Sequence, residues 1–150
     1  MHMQHHDAST KADRSHCACL HLRRASRVVS QLYDRYLQPV GIRGTQYAML
    51  MHIANIKDIT VGELSERLGM DQSTATRCVK VLYKMGWIAF ATSRDDARKK
   101  VLVLTSQGID KIREADPLWE QAQAKIENTL KTDQFDRLLG LLDQIADITR

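Results

Sequence analysis

The chain has 150 residues, 43% of them hydrophobic, and a formal net charge of +4 at pH 7. This hydrophobic content is enough to bury a core, which excludes an intrinsically disordered chain, and the length fits one domain or two small subdomains. There is no apolar run near the roughly 20 residues of a membrane span and no signal-peptide core, so we expect a cytoplasmic protein without a membrane partner.

The charge is unevenly distributed along the chain. Residues 1–70 carry 9 Lys and Arg against 6 Asp and Glu, and residues 71–105 carry 7 against 3. Residues 106–150 reverse the sign, with 6 against 9. A basic middle followed by an acidic end indicates a polyanionic partner for the middle segment alone.

The first elements in chain order are a tail and two helices. Residues 1–15 show no apolar periodicity and predict a disordered tail. Residues 16–38 predict a helix, because apolar residues recur at helical spacing before the breakers Pro39 and Gly41. A second helix is predicted over residues 45–56.

Two short helices joined by a tight turn follow. Thr60 and Glu63 form a capping-box pattern that opens a helix through Leu68, and Gly69 suits the left-handed position that ends it. Asp71 can then cap the next helix. This arrangement is the helix-turn-helix pattern.

The helix after Asp71 is amphipathic, and its polar face carries no acid. At about 100° per residue, that face spans an arc of about 140°. An ordinary solvated face mixes Glu with Lys, so this face is typical of a polyanion-binding helix. Its members are Gln72, Ser73, Thr76, Arg77, Lys80 and Lys84, while the opposite, apolar side holds Ala75, Cys78, Val79, Leu82 and Met85.

A two-stranded wing is predicted next. Ile88, Phe90 and Thr92 alternate as in a strand, and residues 101–104 form a second apolar run. The charged segment SRDDARKK joins them. Further helices are predicted from Ser106 onward.

The predicted fold class is therefore mainly α with a small two- to three-stranded β-wing. Residues 45–105 form the winged helix-turn-helix DNA-binding domain in this interpretation. Residues 16–44 and 106–150 carry apolar stripes that the winged unit does not need, so we interpret them as dimerisation helices. A single recognition helix contacts too few base pairs to specify one site in a genome, which independently favours a homodimer.

The residue types suit double-stranded DNA as the partner. Arg77 can pair with guanine and Gln72 with adenine in the major groove, whereas Lys80 and Lys84 suit phosphates. In the wing, Arg98 is the candidate for minor-groove insertion, with Asp96 pairing to it and holding its shape. The complete set of predicted contacts comprises Gln72, Ser73, Thr74, Thr76, Arg77, Lys80, Lys84, Arg94, Asp96, Arg98, Lys99 and Lys100.

Over about residues 16–149 the chain resembles the MarR family of bacterial transcription regulators. The resemblance depends on the run Ser73, Thr74, Thr76 and Arg77, on Gly86 before the wing, on Asp96-Ala97-Arg98, and on the exit Leu104-Thr105 with Gly108. It departs from the family pattern at Lys99-Lys100. The resemblance implies a homodimer, a palindromic operator, and usually repression that a ligand or an oxidant relieves.

Two forms of control follow from the resemblance. A small aromatic or phenolic effector would bind between the dimer layer and the winged unit, with His21, Arg24, Tyr47 and Met51 as candidate lining residues. Alternatively, Cys17 or Cys19 would sense peroxide near the start of the first helix, with Tyr36 and Tyr47 available as hydrogen-bond partners. No cofactor is predicted, and a metal site at His16, Cys17, Cys19 and His21 is a weak alternative because the groups point in different directions.

Two other classes of function remain open at this level. A Cys–His pair, Cys17 or Cys19 with His16, His21 or His52, would be the only evident nucleophile of an enzyme, and no phosphate loop, carboxylate dyad or metal signature supports one. A winged-helix module that binds an acidic protein would use the same cationic face. Salt-dependent binding to duplex DNA separates these classes from a DNA-binding regulator.

Overall fold

The computed structural model describes residues 14–149. The predicted tail lies outside the described residues up to position 13. Three short 3-10 helices, Arg14–His16, Gln38–Val40 and Asp147–Thr149, flank or join the main elements. The main elements are α1 (Ala18–Leu37), α2 (Gly44–Asn55), α3 (Val61–Arg67), α4 (Gln72–Lys84), β1 (Ile88–Thr92), β2 (Lys100–Leu104), α5 (Ser106–Leu130) and α6 (Thr132–Ala146).

Side-chain caps define where three of the helices begin. Thr60 accepts a hydrogen bond from the backbone N–H of Glu63, whose carboxylate accepts from the backbone N–H of Thr60 in return, as the capping-box pattern predicted. Asp71 caps α4 in the predicted manner. Thr105 caps α5 by accepting from the N–H of Gly108. Each cap satisfies a donor that the first helical turn leaves unpaired.

The principal core lies inside the winged unit. Met49 and Leu50 of α2 are fully buried, and so are Leu64 of α3 and Leu82 of α4. The strands add Ile88 and Leu102, each 2% exposed. Because every element from α2 to β2 contributes to one apolar cluster, α4 is held rigidly with its polar face outward.

The wing is an antiparallel pair of strands, in which Phe90 lies opposite Leu102 and Thr92 opposite Lys100. The strand β2 begins one residue earlier than the sequence predicted. The N–H of Leu102 also donates to the carbonyl of Ile59 at 2.9 Å, so the segment before α3 pairs with the outer edge of β2. The sheet itself has two strands, and this hydrogen bond ties the wing to the start of α3.

The terminal helices pack less completely. Helix α1 lies against α5, and α5 against α6, but Leu37 is the only buried residue of α1 and α6 has none. Exposed apolar residues instead run along α1 and α6, among them Leu20, Val28, Val29, Leu138, Leu139, Leu141 and Ile145. None of the helices within residues 14–149 has a stretch both long and apolar enough to cross a lipid bilayer.

Two local expectations need correction. Arg14 and Ser15, which were assigned to the tail, belong to the first 3-10 helix. Met85, which was placed on the apolar side of α4, is 44% exposed, because it lies just beyond the helix end, where Gly86 with a φ of 76° turns the chain into the wing.

Candidate nucleic-acid interface

The polar face of α4 is directed to solvent. Ala75, Val79 and Leu82 are at most 1% exposed and hold the helix against the core. On the other side, Thr76 is half-buried, and the remaining members of the predicted face are exposed: Gln72, Ser73, Arg77, Lys80 and Lys84. The sorting of these residues into two faces by helical periodicity is therefore confirmed.

Asp71 organises the first turn of α4. Its Oδ1 accepts from the hydroxyl of Ser73 at 2.6 Å and from the N–H of Thr74 at 2.9 Å, and its Oδ2 accepts from the hydroxyl of Thr74 at 2.7 Å. These hydrogen bonds, led by that of Ser73, hold the pKa of the Asp71 carboxyl well below its usual range. The carboxylate therefore stays charged, and the protons of both hydroxyls point toward it.

The next turn has its own internal bonds. The hydroxyl of Thr76 donates to the carbonyl of Gln72 at 2.8 Å, and Nη2 of Arg77 donates to Oγ1 of Thr74 at 3.3 Å. This last contact places the Arg77 guanidinium beside the first turn, where its charge also helps to lower the pKa of Asp71. The other guanidinium donors stay available, as a bidentate contact with guanine requires.

The wing tip presents one arginine in a fixed local geometry. Oδ1 of Asp96 accepts from the backbone N–H of Arg98 at 3.0 Å and from its Nε at 3.4 Å. The Arg98 side chain is nevertheless 93% exposed. The predicted pairing of Asp96 with Arg98 is present, and it orients the arginine while leaving the guanidinium end exposed.

Neighbouring charges brace the wing against α3. Lys99 donates to Oε1 of Glu63 at 3.2 Å, and the buried Ser93 donates to Asp58 at 3.0 Å. The pKa of the Glu63 carboxyl is lowered, first by the N–H of Thr60 and then by Lys99. Of the predicted phosphate contacts in the wing, Lys99 is thus engaged within the protein, whereas Arg94 is exposed.

Sequence reasoning missed one aromatic residue of this surface. Tyr83 lies eleven residues after Gln72, which places it about 20° from Gln72 around the helix axis and so inside the polar arc. It is 54% exposed, and its ring lies 5.5 Å from that of Phe90 in β1. Nζ of Lys100 lies 4.3 Å from the centre of the same Phe90 ring. The helical arithmetic that sorted the polar residues would also have identified Tyr83, had aromatic residues been included.

A separate cavity of about 300 Å³ lies where α1, α2 and α5 meet. Tyr33 and Trp119 supply its aromatic surface, with ring centres 6.2 Å apart. Asp34, which accepts from the N–H of Gly44 at 2.8 Å, contributes a carboxylate. The residues lining the cavity are Val29, Ser30, Tyr33, Asp34, Gly44, Thr45, Ala48 and Trp119.

The four residues predicted to line an effector site do not line this cavity. His21 and Arg24 are exposed on the outer side of α1, and Met51 is half-buried. Tyr47 is buried beneath Trp119, with the two rings stacked at 5.9 Å, and its hydroxyl donates to Asp116 at 2.7 Å. Burial, and secondarily Asp116, raises the pKa of Tyr47. Tyr47 therefore does not line the cavity but packs against Trp119, which does.

The cysteines are free thiols in the structure. Cys17 precedes α1 as its N-cap residue, and Cys19 is exposed in the first turn. The hydroxyl of Tyr47, a predicted partner for these thiols, instead donates to Asp116. Across residues 14–149, no group of three or more His, Cys, Asp or Glu side chains is arranged to hold a metal ion.

Comparison with known proteins relates this architecture to a family. The model of the MarR family matches residues 42–100. The crystal structure of the Mycobacterium tuberculosis transcriptional regulator MosR is 31% identical to this chain and covers 89% of it and 98% of MosR, with a TM-score of 0.77. A second structure, of MosR in complex with DNA, is 34% identical with the same coverage and a TM-score of 0.76.

Curated relatives match over shorter segments. The HTH-type transcriptional regulator SarZ of Staphylococcus aureus is 30% identical over 84 residues, which are 56% of this chain and 57% of SarZ. The HTH-type regulator YwoH of Bacillus subtilis is 27% identical over 93 residues, 62% of this chain and 67% of YwoH. This chain thus spans little more than half the length of SarZ.

These relatives are transcriptional regulators rather than enzymes. The match to MosR extends over nearly all of that protein at more than 30% identity, and the family model covers the winged unit described above. The chain therefore belongs to the MarR family of DNA-binding transcriptional regulators.

Proposed function

We propose that this protein is a homodimeric repressor that binds a palindromic operator and is released by a small aromatic or phenolic ligand. The observation that carries the DNA-binding part is the exposed, acid-free face formed by Gln72, Ser73, Thr76, Arg77, Lys80 and Lys84 beside the exposed Arg98. In this proposal α4 enters the major groove and the wing tip lies over the adjacent minor groove.

The residues of α4 divide into base readers and phosphate contacts. Arg77, which is exposed in the N-terminal half of α4, is proposed to read guanine, and Gln72 to read adenine. Lys80 and Lys84, farther along, are proposed to bind phosphates. Of the wing residues, Arg94 and Lys100 are proposed to add phosphate contacts, while Lys99 acts first through Glu63.

The experiment compares Arg77→Ala with Lys84→Ala on duplexes selected by the wild-type protein from a random pool. Arg77→Ala is expected to relax sequence preference at one position, corresponding to about 1–3 kcal/mol. Lys84→Ala is expected to weaken all duplexes alike and to reduce the slope of log affinity against log salt by about 1. Identical behaviour of the two variants would contradict the division into readers and phosphate contacts.

The homodimer is proposed to form through the terminal helices, residues 16–44 and 106–150. Supporting this, α1 and α6 leave a row of apolar side chains exposed, and a groove of about 510 Å³ runs between α1, α5 and α6 with Val28, Val29 and Leu138 on its walls. Contiguous apolar surface of this kind is typical of a protein interface. A two-fold pair of α4 helices would then match a palindromic site.

The effector is proposed to bind in the cavity of about 300 Å³ beside Tyr33 and Trp119. This volume suits a single aromatic ring. A phenolic hydroxyl can donate to Asp34, whereas a ligand carboxylate there would be repelled. Arg24, which was expected to hold a carboxylate, is exposed and outside the cavity. Neutral phenols are therefore the preferred ligands in this proposal.

Intrinsic fluorescence tests the effector site, because the protein has only two tryptophans, Trp87 and Trp119. The protein is titrated separately with phenol and with benzoate. Phenol is expected to quench the fluorescence of Trp119 more strongly than benzoate does. The Trp119→Phe variant, which retains Trp87, serves as the control and should lose the response. Equal quenching in that variant would place the ligand elsewhere.

Oxidation of Cys17 or Cys19 is the alternative form of control, favoured by one observation: Cys19 is exposed in the first turn of α1. An exposed thiol is accessible to peroxide, which can oxidise it. Peroxide should then release DNA from the wild type and leave Cys17→Ser or Cys19→Ser bound. Peroxide-insensitive binding by the wild type would reject this alternative.

A further inference from the structure

We propose that Tyr83, Phe90 and Lys100 form a phosphate-binding cluster, here called the Tyr83 cluster, that holds the sugar–phosphate strand between the two grooves. Its ligand is one backbone phosphate with its deoxyribose. The inference rests on the proposed placement of α4 and the wing on duplex DNA. It adds a contact that involves neither the acid-free polar residues of α4 nor the wing tip.

The first argument is the position of Tyr83. It lies in the last turn of α4, on the same arc as Gln72 and Thr76, and its side chain is more than half exposed. No hydrogen-bond partner for its hydroxyl is found among residues 14–149. A ring with an unpaired hydroxyl on a DNA-facing surface presents an apolar body and a polar tip, as contact with a sugar and its phosphate requires.

The second argument is that Phe90 holds both neighbours in place. The rings of Tyr83 and Phe90 lie 5.5 Å apart at an angle of 44°, which is a favourable tilted arrangement. Lys100 is the diagonal cross-strand neighbour of Phe90, and its Nζ lies 4.3 Å above that ring. The cluster therefore joins the end of α4 to both strands of the wing.

The third argument is the unneutralised charge of Lys100. Its neighbours in the wing are paired, Lys99 with Glu63 and Arg98 with Asp96. Lys100 has no acid partner within residues 14–149. Cation–π contact with Phe90 fixes the direction of its ammonium group without neutralising it, so the charge remains available for a phosphate.

The last argument is the path of the nucleic acid. A helix in the major groove and a wing in the neighbouring minor groove are separated by one sugar–phosphate strand, so the surface that connects them must face that strand. Phe90 and Lys100, together with Arg98, also line a shallow depression of about 290 Å³ beside the wing. The surface between α4 and the wing tip is thus formed in part by a row of four residues: Tyr83, Phe90, Lys100 and Arg98.

The test measures duplex affinity by fluorescence anisotropy for the wild type, Tyr83→Phe, Lys100→Gln and the control Arg113→Gln, which removes an exposed positive charge in α5. Both a selected and an unrelated duplex are used. Tyr83→Phe keeps the ring and should weaken both duplexes by about 3- to 10-fold without changing the salt slope, because the hydrogen-bond donor that is lost carries no charge. Lys100→Gln should weaken both and reduce the salt slope by about 1. Arg113→Gln should bind like the wild type.

Phe90→Leu tests whether Phe90 acts by positioning Tyr83. Alone it should weaken binding, and combined with Tyr83→Phe its effect should be smaller than the product of the two single effects. Replacing the contacted phosphate by a neutral methylphosphonate should likewise lower the affinity of the wild type. The same replacement should leave the affinity of a Tyr83→Phe, Lys100→Gln double variant unchanged. Fully independent effects of Phe90 and Tyr83 would overturn the positioning role.

The outcomes separate this inference from the proposed function. If Tyr83→Phe binds both duplexes like the wild type while Arg77→Ala does not, the Tyr83 cluster is rejected and DNA binding by α4 stands. If Tyr83→Phe changes sequence preference, Tyr83 contacts a base and the phosphate assignment is overturned. If the wild type shows no salt-dependent duplex binding, it is the proposed function that fails.

Discussion

The winged unit and the terminal helices differ in how completely a single chain buries their apolar residues. Helix α2, inside the winged unit, has four buried residues among its twelve, whereas the fifteen residues of α6 include none. Yet α6 contains Leu138, Leu139, Leu141 and Ile145, which are as apolar as the residues of α2. Each helix contains seven hydrophobic residues, so the absence of burial in α6 reflects its surroundings more than a lack of apolar side chains.

This difference indicates that the two regions are stabilised in different ways. The winged unit surrounds its own core, so its stability should depend on residues of one chain. The terminal helices leave a face that water contacts in the single chain, and that face gains stability only when another surface covers it. Changes in the two regions should therefore respond differently to protein concentration.

The largest effect is expected from Leu50→Ala in the core of the winged unit. Leu50 is fully buried among α2, α3 and the strands, so truncation leaves a cavity that the neighbours cannot fill. The free energy of unfolding should fall by about 4 kcal/mol. Urea denaturation followed by circular dichroism measures it, and the loss should be the same at low and high protein concentration. A loss that disappears at high concentration would contradict the view of a self-sufficient core.

A somewhat smaller loss is expected from Gly108→Ala, where the winged unit joins α5. A Cβ at Gly108 would lie 2.0 Å from the carbonyl oxygen of Trp87, which is backbone and cannot simply move aside. We expect destabilisation by about 3 kcal/mol from this overpacking. The control is Gly140→Ala in α6, where a Cβ meets nothing within 4 Å. The control should stabilise by about 0.5–1 kcal/mol, and similar losses in both variants would contradict the steric explanation.

The proposed dimer layer gives a third prediction. Leu138→Lys places a charge in the apolar groove between α1, α5 and α6, and we expect the dimer dissociation constant to rise by about 10- to 100-fold. Sedimentation velocity over a range of concentrations measures this change. Gln144→Lys adds the same charge about 120° around α6 from Leu138 and should leave the dissociation constant nearly unchanged. If both variants dissociate alike, the groove is not the interface.

The sequence sufficed for the winged unit because its signals are local. The caps at Thr60 and Asp71 need only side chains within three residues of the helix start, and the polar face of α4 follows from helical periodicity. The pairing of Asp96 with Arg98 is likewise a contact between near neighbours. These features depend on short chain separations, which a pattern can encode.

The cavity beside Tyr33 and Trp119 could not be predicted in the same way. Tyr33 lines the cavity because its face of α1 packs toward α5. His21 and Arg24 are exposed and do not line it. The bond from Tyr47 to Asp116 joins residues 69 positions apart. Such contacts are set by how the helices pack, and no local spacing signals them. Met85 was misplaced for a related reason, because its exposure depends on where the turn at Gly86 ends α4.

The smallest expected effect concerns the ion pair that ties the wing to α3. The N–H of Thr60 and the ammonium of Lys99 lower the pKa of Glu63 in the folded protein. Ionised Glu63 therefore stabilises the fold above its unfolded pKa of about 4.3, and that contribution is lost as the pH falls through the lower folded pKa. Because both partners are nearly half exposed, the contribution should be below about 1 kcal/mol.

Glu63→Gln isolates this contribution, because Gln preserves the capping box while losing the charge. Urea denaturation should show the variant less stable than the wild type at pH 7, with a difference that shrinks as the pH is lowered to 3 and below. Glu66→Gln, an exposed position in the same helix, should show a smaller difference at pH 7. A deficit of Glu63→Gln that is unchanged between pH 7 and pH 3 would mean that shape rather than charge ties the wing to α3. The contact between the wing and α3 would then depend on packing, as the apolar core does, and not on charge.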